Sequence, residues 1–148
     1  MRPIIIVISH GKMAQATVET AQMIAGECEF LYSVGLFDSG GVTQFLTDFE
    51  QVVRLFDTER EFLILADLYG GTPFNVASTY LKNYALMRIV TGFNLGMVLE
   101  AILSEGRKIN ELSEYVSRNA LDSIDLLSPE KLIEKLNLQS DDDEIEFD

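Results

Sequence analysis

The stretch Asp67-Leu-Tyr-Gly-Gly-Thr-Pro-Phe-Asn75, together with the residues on either side of it, decides the fold of this chain. The apolar run Glu61-Phe-Leu-Ile-Leu-Ala66 precedes it and predicts a strand buried on both faces of a parallel sheet. Residues 74–82 carry apolar side chains at helical spacing. The stretch is therefore predicted to connect a strand to a helix through a short loop.

The composition of this loop suits either a plain turn or a phosphate site. Gly70 and Gly71 allow a tight turn or the close approach of a ligand, while Thr72 suits an N-cap and Pro73 suits the first helical position. A helix that starts here presents free N–H groups and the positive end of a dipole, which favour a bound phosphate. Turn and cap residues also recur wherever a strand leads into a helix, so the loop alone leaves both interpretations open.

The start of the chain carries another predicted strand and the only histidine of the 148 residues. Pro3-Ile-Ile-Ile-Val-Ile8 leads into Ser9-His10-Gly11, and a helix is predicted from Met13 to Ala25. In a doubly wound sheet of strand order 2-1-3-4, strands one and three are neighbours whose helices cover opposite faces, which opens a crevice at their carboxyl ends. We expect His10 and Asp67 to lie side by side in that crevice.

Three segments of the chain resemble the IIA component of the mannose family of the bacterial phosphoenolpyruvate-dependent sugar phosphotransferase system. They are Ser9-His10-Gly11, the nine residues from Asp67 to Asn75, and Thr91-Gly-Phe-Asn-Leu-Gly-Met-Val-Leu-Glu100. The similarity as a whole spans residues 1–128. In that family the histidine after strand one accepts a phosphoryl group from the phosphocarrier protein HPr and passes it to a IIB component. The resemblance implies the same phosphotransferase role for His10.

A candidate site follows from this resemblance and from the chemistry of phosphoryl transfer. We expect the Asp67 carboxylate to accept a hydrogen bond from one ring nitrogen of His10, which leaves the other nitrogen free to take up phosphate. The residues expected to bind the phosphate oxygens are Gly70, Gly71, Thr72 and Phe74. No metal or other cofactor is expected, because a phosphohistidine donor is already reactive.

The rest of the pattern completes an α/β fold with a mostly parallel sheet of four strands. Further strands are predicted at 29–37 and 85–91, and further helices near 42–56, 95–104 and 109–118. Asn110 is the expected N-cap of the last of these helices.

The segment Ala120–Leu127 fits either a helix end or a strand. The resemblance implies that it is an antiparallel fifth strand, exchanged between the two subunits of a homodimer. The IIA domain is expected to span residues 1–128, followed by a short helix at 129–138 and an acidic, disordered tail at 139–148.

Charge and composition restrict the partners. The net charge of −13, with six acidic residues in the last nine, argues against nucleic acid and anionic membranes as partners and favours basic protein surfaces.

No apolar run approaches the roughly 20 residues that span a bilayer, and the start lacks a signal peptide, so we expect a cytoplasmic protein. Cys28 has no histidine or second cysteine near it and is expected to be structural or incidental. By resemblance, HPr and a IIB component are direct partners, whereas the membrane components IIC and IID, which choose the sugar, are indirect ones.

Two other functions stay open at this level. The phosphotransferase subunit of dihydroxyacetone kinases has the same early histidine but lacks the Gly-Gly-Thr-Pro-Phe-Asn continuation. A regulatory module that is phosphorylated on His10 only to signal would use the same site as a relay. A response-regulator receiver is rejected, because it needs an acidic pair after strand one, where this chain has Ser9-His10.

Overall fold

Strands and helices alternate along most of the chain. The computed structural model describes residues 1–143. The elements within them, in chain order, are β1 (Ile4–His10), α1 (Met13–Ala25), β2 (Leu31–Leu36), α2 (Gly41–Val53), β3 (Phe62–Ala66), α3 (Thr72–Ser78) with a 3-10 turn (Thr79–Lys82), β4 (Met87–Thr91), α4 (Leu95–Leu103), α5 (Ile109–Asp122) and α6 (Pro129–Asp143).

The four strands form one parallel sheet in the order β2-β1-β3-β4, which confirms the predicted α/β, doubly wound architecture. Strand β1 pairs with β2 on one side and β3 on the other, and Ile8 lies opposite Ala66 in the β1–β3 register. His10 and Asp67 therefore leave the sheet at the same edge. Among the described residues, β2 and β4 each pair with one neighbour only.

Two apolar cores cover the two faces of the sheet. Alternate side chains of β1 serve different faces, because successive residues of a strand point to opposite sides. Ile5 and Val7 pack with α1, α4 and α5, whereas Ile4, Ile6 and Ile8 pack with α2 and α3. Helices α1 and α3 thus lie on opposite faces although β1 and β3 are neighbours, and this arrangement opens the crevice at their carboxyl ends.

A distant carboxylate caps helix α5. The prediction that Asn110 is the N-cap was wrong, since the cap residue is Lys108 and the helix begins at Ile109. Glu61, which directly precedes β3, accepts a hydrogen bond from the Ile109 N–H at 3.1 Å. The side chain that satisfies this helix end therefore comes from 48 residues away and fixes α5 against the start of β3.

The elements after residue 119 differ from those predicted. Ala120 to Asp122 form the end of α5 and residues 124–128 have no regular structure, so the single chain does not form the strand predicted over Ala120–Leu127. Helix α6 runs to Asp143, past its predicted end at Leu138. No glycine or proline follows Pro129 to interrupt this helix. Residues 144–148 of the predicted acidic tail lie outside the described residues.

Within residues 1–143, no helix combines the length and the apolar character needed to cross a membrane.

We expect Glu61→Ala to lower the free energy of unfolding by about 1 kcal/mol, because the Ile109 N–H loses its acceptor. Urea unfolding at a fixed protein concentration measures this change. Glu61→Gln is the matched control, since its amide oxygen can still accept the bond. Equal stability of the Ala variant and the unmodified protein would show that this cap does not stabilise the fold.

Candidate functional site

His10 is the last residue of β1, and its position is set by the turn that follows. Its side chain is 47% exposed, whereas the preceding Ser9 is fully buried. The Ser9 Oγ accepts a hydrogen bond from the Ala14 N–H at 2.7 Å and so anchors the start of α1. Gly11 makes the turn with a φ of 56°, a conformation that favours glycine. The imidazole is therefore left at the open edge of the sheet.

The Asp67 carboxylate binds both the backbone and the ring of His10. Its Oδ2 accepts a hydrogen bond from the His10 backbone N–H at 2.9 Å and lies 2.8 Å from Nδ1 of the ring. A carboxylate can only accept hydrogen bonds, so Nδ1 carries the proton in this pair, and in the neutral ring Nε2 is the nitrogen with the free lone pair. The predicted pairing of His10 with Asp67 is therefore present.

The other oxygen of Asp67 has an unusual environment. Oδ1 is buried and has no hydrogen-bond partner within residues 1–143, and the whole side chain is only 12% exposed. Leaving such an atom unpaired is costly, so most buried polar atoms in proteins are satisfied. Both hydrogen bonds that the structure shows for this carboxylate are made by Oδ2 with His10.

Gly71 lies directly against the imidazole. A Cβ atom at this position would be 2.8 Å from Cε1 and 3.6 Å from Nε2 of His10, and the first distance is too short for a real contact. The φ of Gly71 is −70°, which any residue adopts, so the restriction is purely steric. Gly70 differs, since its φ of 74° places it in the left-handed region. The two glycines therefore have different roles, one in the turn and the other beside the ring.

Helix α3 starts one residue earlier than predicted. Thr72 is the first helical residue and Gly71 occupies the N-cap, so the expectation that Thr72 is the N-cap was wrong. Gly71 has the extended backbone of an N-cap residue, and its contact with the His10 ring leaves no room for a side chain at this position. Pro73, which was predicted at the first helical position, is the second helical residue and is buried.

The amide groups of the loop are only partly free. The Gly71 N–H donates to the Leu68 carbonyl at 3.3 Å, whereas the N–H groups of Gly70, Thr72 and Phe74 have no acceptor within residues 1–143. Asn75 supports the loop, because its side chain donates to the Gly70 carbonyl at 3.0 Å and its N–H donates to the Gly71 carbonyl at 2.9 Å.

The sequence predicts that His10 and Asp67 lie side by side, as the structure shows, but it does not reveal all the contacts that support them. Ser9 belongs to the same motif as His10, but its hydrogen bond to the start of α1 was not predicted. A hydroxyl residue between a buried strand and a helix is a signal of such capping. The role of Asn75 as a brace of the loop was also missed. The contact of Gly71 with the ring has no signal in the sequence.

Cys28 lies before β2, at the end of the sheet opposite His10. Burial raises the pKa of its thiol, which keeps it in the less reactive protonated form. Among the described residues, no group of three or more histidine, cysteine, aspartate or glutamate side chains could hold a metal ion.

Comparison with known proteins identifies close relatives. The family model described as the PTS system fructose IIA component matches residues 4–117, where PTS denotes the phosphotransferase system. The fructose-specific EIIA component of Bacillus subtilis is 32% identical over 98 residues, which cover 66% of this chain and 67% of that protein.

The mannose-specific EIIAB component of Escherichia coli is 26% identical over 100 residues. The match covers 68% of this chain and 31% of that longer protein, so the chain spans about a third of its length. Among solved structures, the mannose/sorbose-specific IIA subunit from Enterococcus faecalis superposes with a TM-score of 0.80 at 32% identity. That alignment covers 86% of this chain and 96% of the other.

We expect Gly71→Ala to displace the His10 ring and to disturb the hydrogen bond between Nδ1 and Asp67, because the added Cβ would collide with Cε1. ¹⁵N NMR of the single histidine reports its tautomer directly. The unmodified protein should show a protonated Nδ1, and the variant a mixture of tautomers.

Thr72→Ala is the matched control for this experiment, since it changes the neighbouring residue without adding an atom near the ring. Its histidine spectrum should match that of the unmodified protein. An unchanged tautomer in Gly71→Ala would mean that Gly71 does not position His10.

Proposed function

Since this chain belongs to the family of mannose-type IIA components of the bacterial sugar phosphotransferase system, we propose that His10 accepts a phosphoryl group from phospho-HPr and passes it to a IIB component. The observation that carries the proposal is the 2.8 Å contact between His10 Nδ1 and Asp67 Oδ2, which leaves Nε2 as the nucleophile. The relay would operate in the cytoplasm, where it serves sugar uptake and phosphorylation through the membrane components.

The transfer step needs positioning and charge stabilisation more than covalent chemistry. His10 Nε2 forms a bond to phosphorus as the P–N bond of the donor phosphohistidine breaks, and the electron pair of that bond returns to the donor imidazole. Positive charge develops on the His10 ring while its Nδ1 proton stays in the hydrogen bond to Asp67. The buried carboxylate stabilises this charge, and the same steps in reverse deliver the phosphoryl group to the IIB acceptor.

The loop after β3 supplies the groups proposed to bind the phosphate oxygens. The N–H groups of Gly70, Thr72 and Phe74 are free to donate. Because Gly71 has no Cβ, the loop can lie directly against the His10 ring. The Thr72 hydroxyl is a further donor, and the first turn of α3 adds a favourable dipole. Gly71 would contribute through its missing side chain, since its own N–H is bound to Leu68.

We also propose that the protein acts as a homodimer. Ile124, Leu126 and Leu127 are 61–76% exposed in the single chain, an unfavourable arrangement for three large apolar side chains in one short segment. The outer edge of β4 is unpaired within the described residues, so it can accept an additional strand. Exchange of the segment 123–128 between two copies, as an antiparallel strand on β4, would bury the segment and complete this edge.

We expect the protein to take up one acid-labile, alkali-stable phosphate per chain when it is incubated with phosphorylated HPr. His10→Ala should abolish this labelling while the fold persists, because the half-exposed ring contributes little to either core. Asp67→Ala should slow labelling by roughly tenfold to a hundredfold, the usual effect of losing an orienting partner. Labelling that survives in His10→Ala, or that behaves as an acyl phosphate on Asp67, would contradict the proposed roles.

Measuring phosphoryl transfer from this protein to a IIB protein distinguishes a relay from a regulatory module. Phosphorylated protein mixed with its cognate IIB should lose its phosphate to that protein. Retention of the label on His10 would favour a regulatory module that is phosphorylated only to signal.

Light scattering at micromolar concentration should give the mass of a dimer. Leu126→Asp combined with Leu127→Asp should shift the protein to monomer, because two charges cannot be buried at such an interface without a large penalty. Leu55→Asp, which changes an exposed leucine elsewhere on the surface, should remain dimeric. A monomeric unmodified protein would refute the dimer.

A further inference from the structure

Helix α6 is well formed but lies apart from the folded body of the described residues. Every residue from Pro129 to Gln139 is exposed, and no described residue after Ala120 belongs to either apolar core. The start of the helix is nonetheless capped, because the Ser128 Oγ accepts a hydrogen bond from the Lys131 N–H at 3.2 Å. An isolated helix of 15 residues is only marginally stable in water, so α6 would gain stability by packing on another surface.

One face of α6 presents an apolar stripe with an acidic border. Leu132, Ile133 and Leu136 form the stripe, since their spacing places them on one side of a helix, and they are 46%, 58% and 56% exposed. Glu130 and Glu134 border the stripe on the side of Ile133. The matching surface should therefore be apolar with a basic border.

Two ion pairs fasten α6 to the segment before it. Lys135 and Lys131 lie 3.1 Å and 3.7 Å from the carboxylate of Asp125. No residue separates the segment 123–128 from the helix, so a molecule that binds the segment lies next to α6 as well. If the segment pairs with β4 of a second copy, as proposed above, α6 is carried onto the same copy. The helix lies outside residues 4–117, which the family model matches, and is thus an addition to that domain.

The chain offers a matching surface beside β4. Helix α5 covers one face of this strand, where Val90 packs against the core that contains α5. On the other face, Ile89 is half-buried and Leu81 of the 3-10 turn is 42% exposed. Lys82 and Arg88 adjoin these two residues in the sequence, and Lys82 forms no ion pair within residues 1–143. This surface is apolar with a basic border, and it complements the stripe of α6.

The direction of the exchanged segment would bring α6 to this surface. An antiparallel partner of β4 ends beside the start of β4 at Met87, and residues 79–86 lead into that start. Since Ser128 is the last residue before α6, the helix would begin close to Leu81 of the second copy.

We propose that residues 123–143 form one exchanged arm, in which the stripe of α6 packs on Leu81 and Ile89 of a second copy. The acidic border of the stripe would then face Lys82 and Arg88. This inference rests on the proposed dimer, to which it adds the helix and the surface that the helix binds. The 15 residues of α6 extend about 22 Å, which is enough to follow the five residues of β4 over about 17 Å.

The first test measures the dissociation constant of the dimer for full-length variants, by sedimentation over a range of concentrations. Leu132→Ala combined with Leu136→Ala should raise this constant by about tenfold to a hundredfold, because apolar contacts are lost on both arms. Alanine is a strong helix former, so the helix itself is retained. Leu138→Ala is the matched control, since Leu138 is 65% exposed on the opposite side of the same helix, and it should leave the constant unchanged.

The second test identifies the copy that α6 contacts. Leu136→Cys protein and Leu81→Cys protein, both also carrying Cys28→Ser to remove the native thiol, are mixed, allowed to exchange subunits and oxidised with diamide. We expect a disulfide between the two kinds of chain. A chain that carries both new cysteines and closes the disulfide internally would overturn the exchange. Disulfides that form between Leu136→Cys chains alone would place α6 against α6 and overturn the proposed surface.

The dissociation constants separate the arm from the dimer. If the unmodified protein is a monomer, the proposed dimer is wrong and the arm is wrong with it. If the unmodified protein is a dimer and the double variant dissociates no more readily than Leu138→Ala, the dimer stands and the role of α6 alone is refuted.

Discussion

The hydrogen bonds between Asp67 Oδ2 and His10 are the contact on which the site depends. They join the ends of two neighbouring strands, and they require β1 and β3 to be parallel and in the observed register. The same neighbours send their helices to opposite faces of the sheet, which keeps the space above them open. Fold and chemistry are thus linked, because any strand order that separated β1 from β3 would also separate the histidine from its carboxylate.

The sequence specified the fold well where the signal is local. Continuous apolar runs such as Ile4–Ile8 are buried throughout, and the first helix has the bounds predicted from its apolar spacing. The meeting of His10 and Asp67 followed from one topological rule once the strand order was assumed. Contacts between distant parts of the chain were not predictable, and the cap that Glu61 provides to α5 is an example. The role of Gly71 was hidden for the same reason, since only the packed structure brings its α-carbon against an imidazole 61 residues earlier in the chain.

The segment 123–128 carries three exposed apolar side chains and would form the interface of the proposed dimer. It lies next to the exposed helix α6. Within α6, Lys135 pairs with Asp125 at 3.1 Å, which lowers the pKa of that carboxyl and links the helix to the segment before it. Substitutions in this segment should therefore test the proposed dimer without changing His10 or Asp67.

We propose that Asp67 holds the proton of Nδ1, so that His10 reacts through Nε2. Because His10 is the only histidine, ¹⁵N labelling of histidine gives a single pair of ring nitrogens without ambiguity. After phosphorylation by phospho-HPr, we predict that the ³¹P nucleus couples to Nε2 while Nδ1 remains protonated. Coupling of phosphorus to Nδ1 would refute this role of Asp67, because that nitrogen would then have lost its hydrogen bond to the carboxylate.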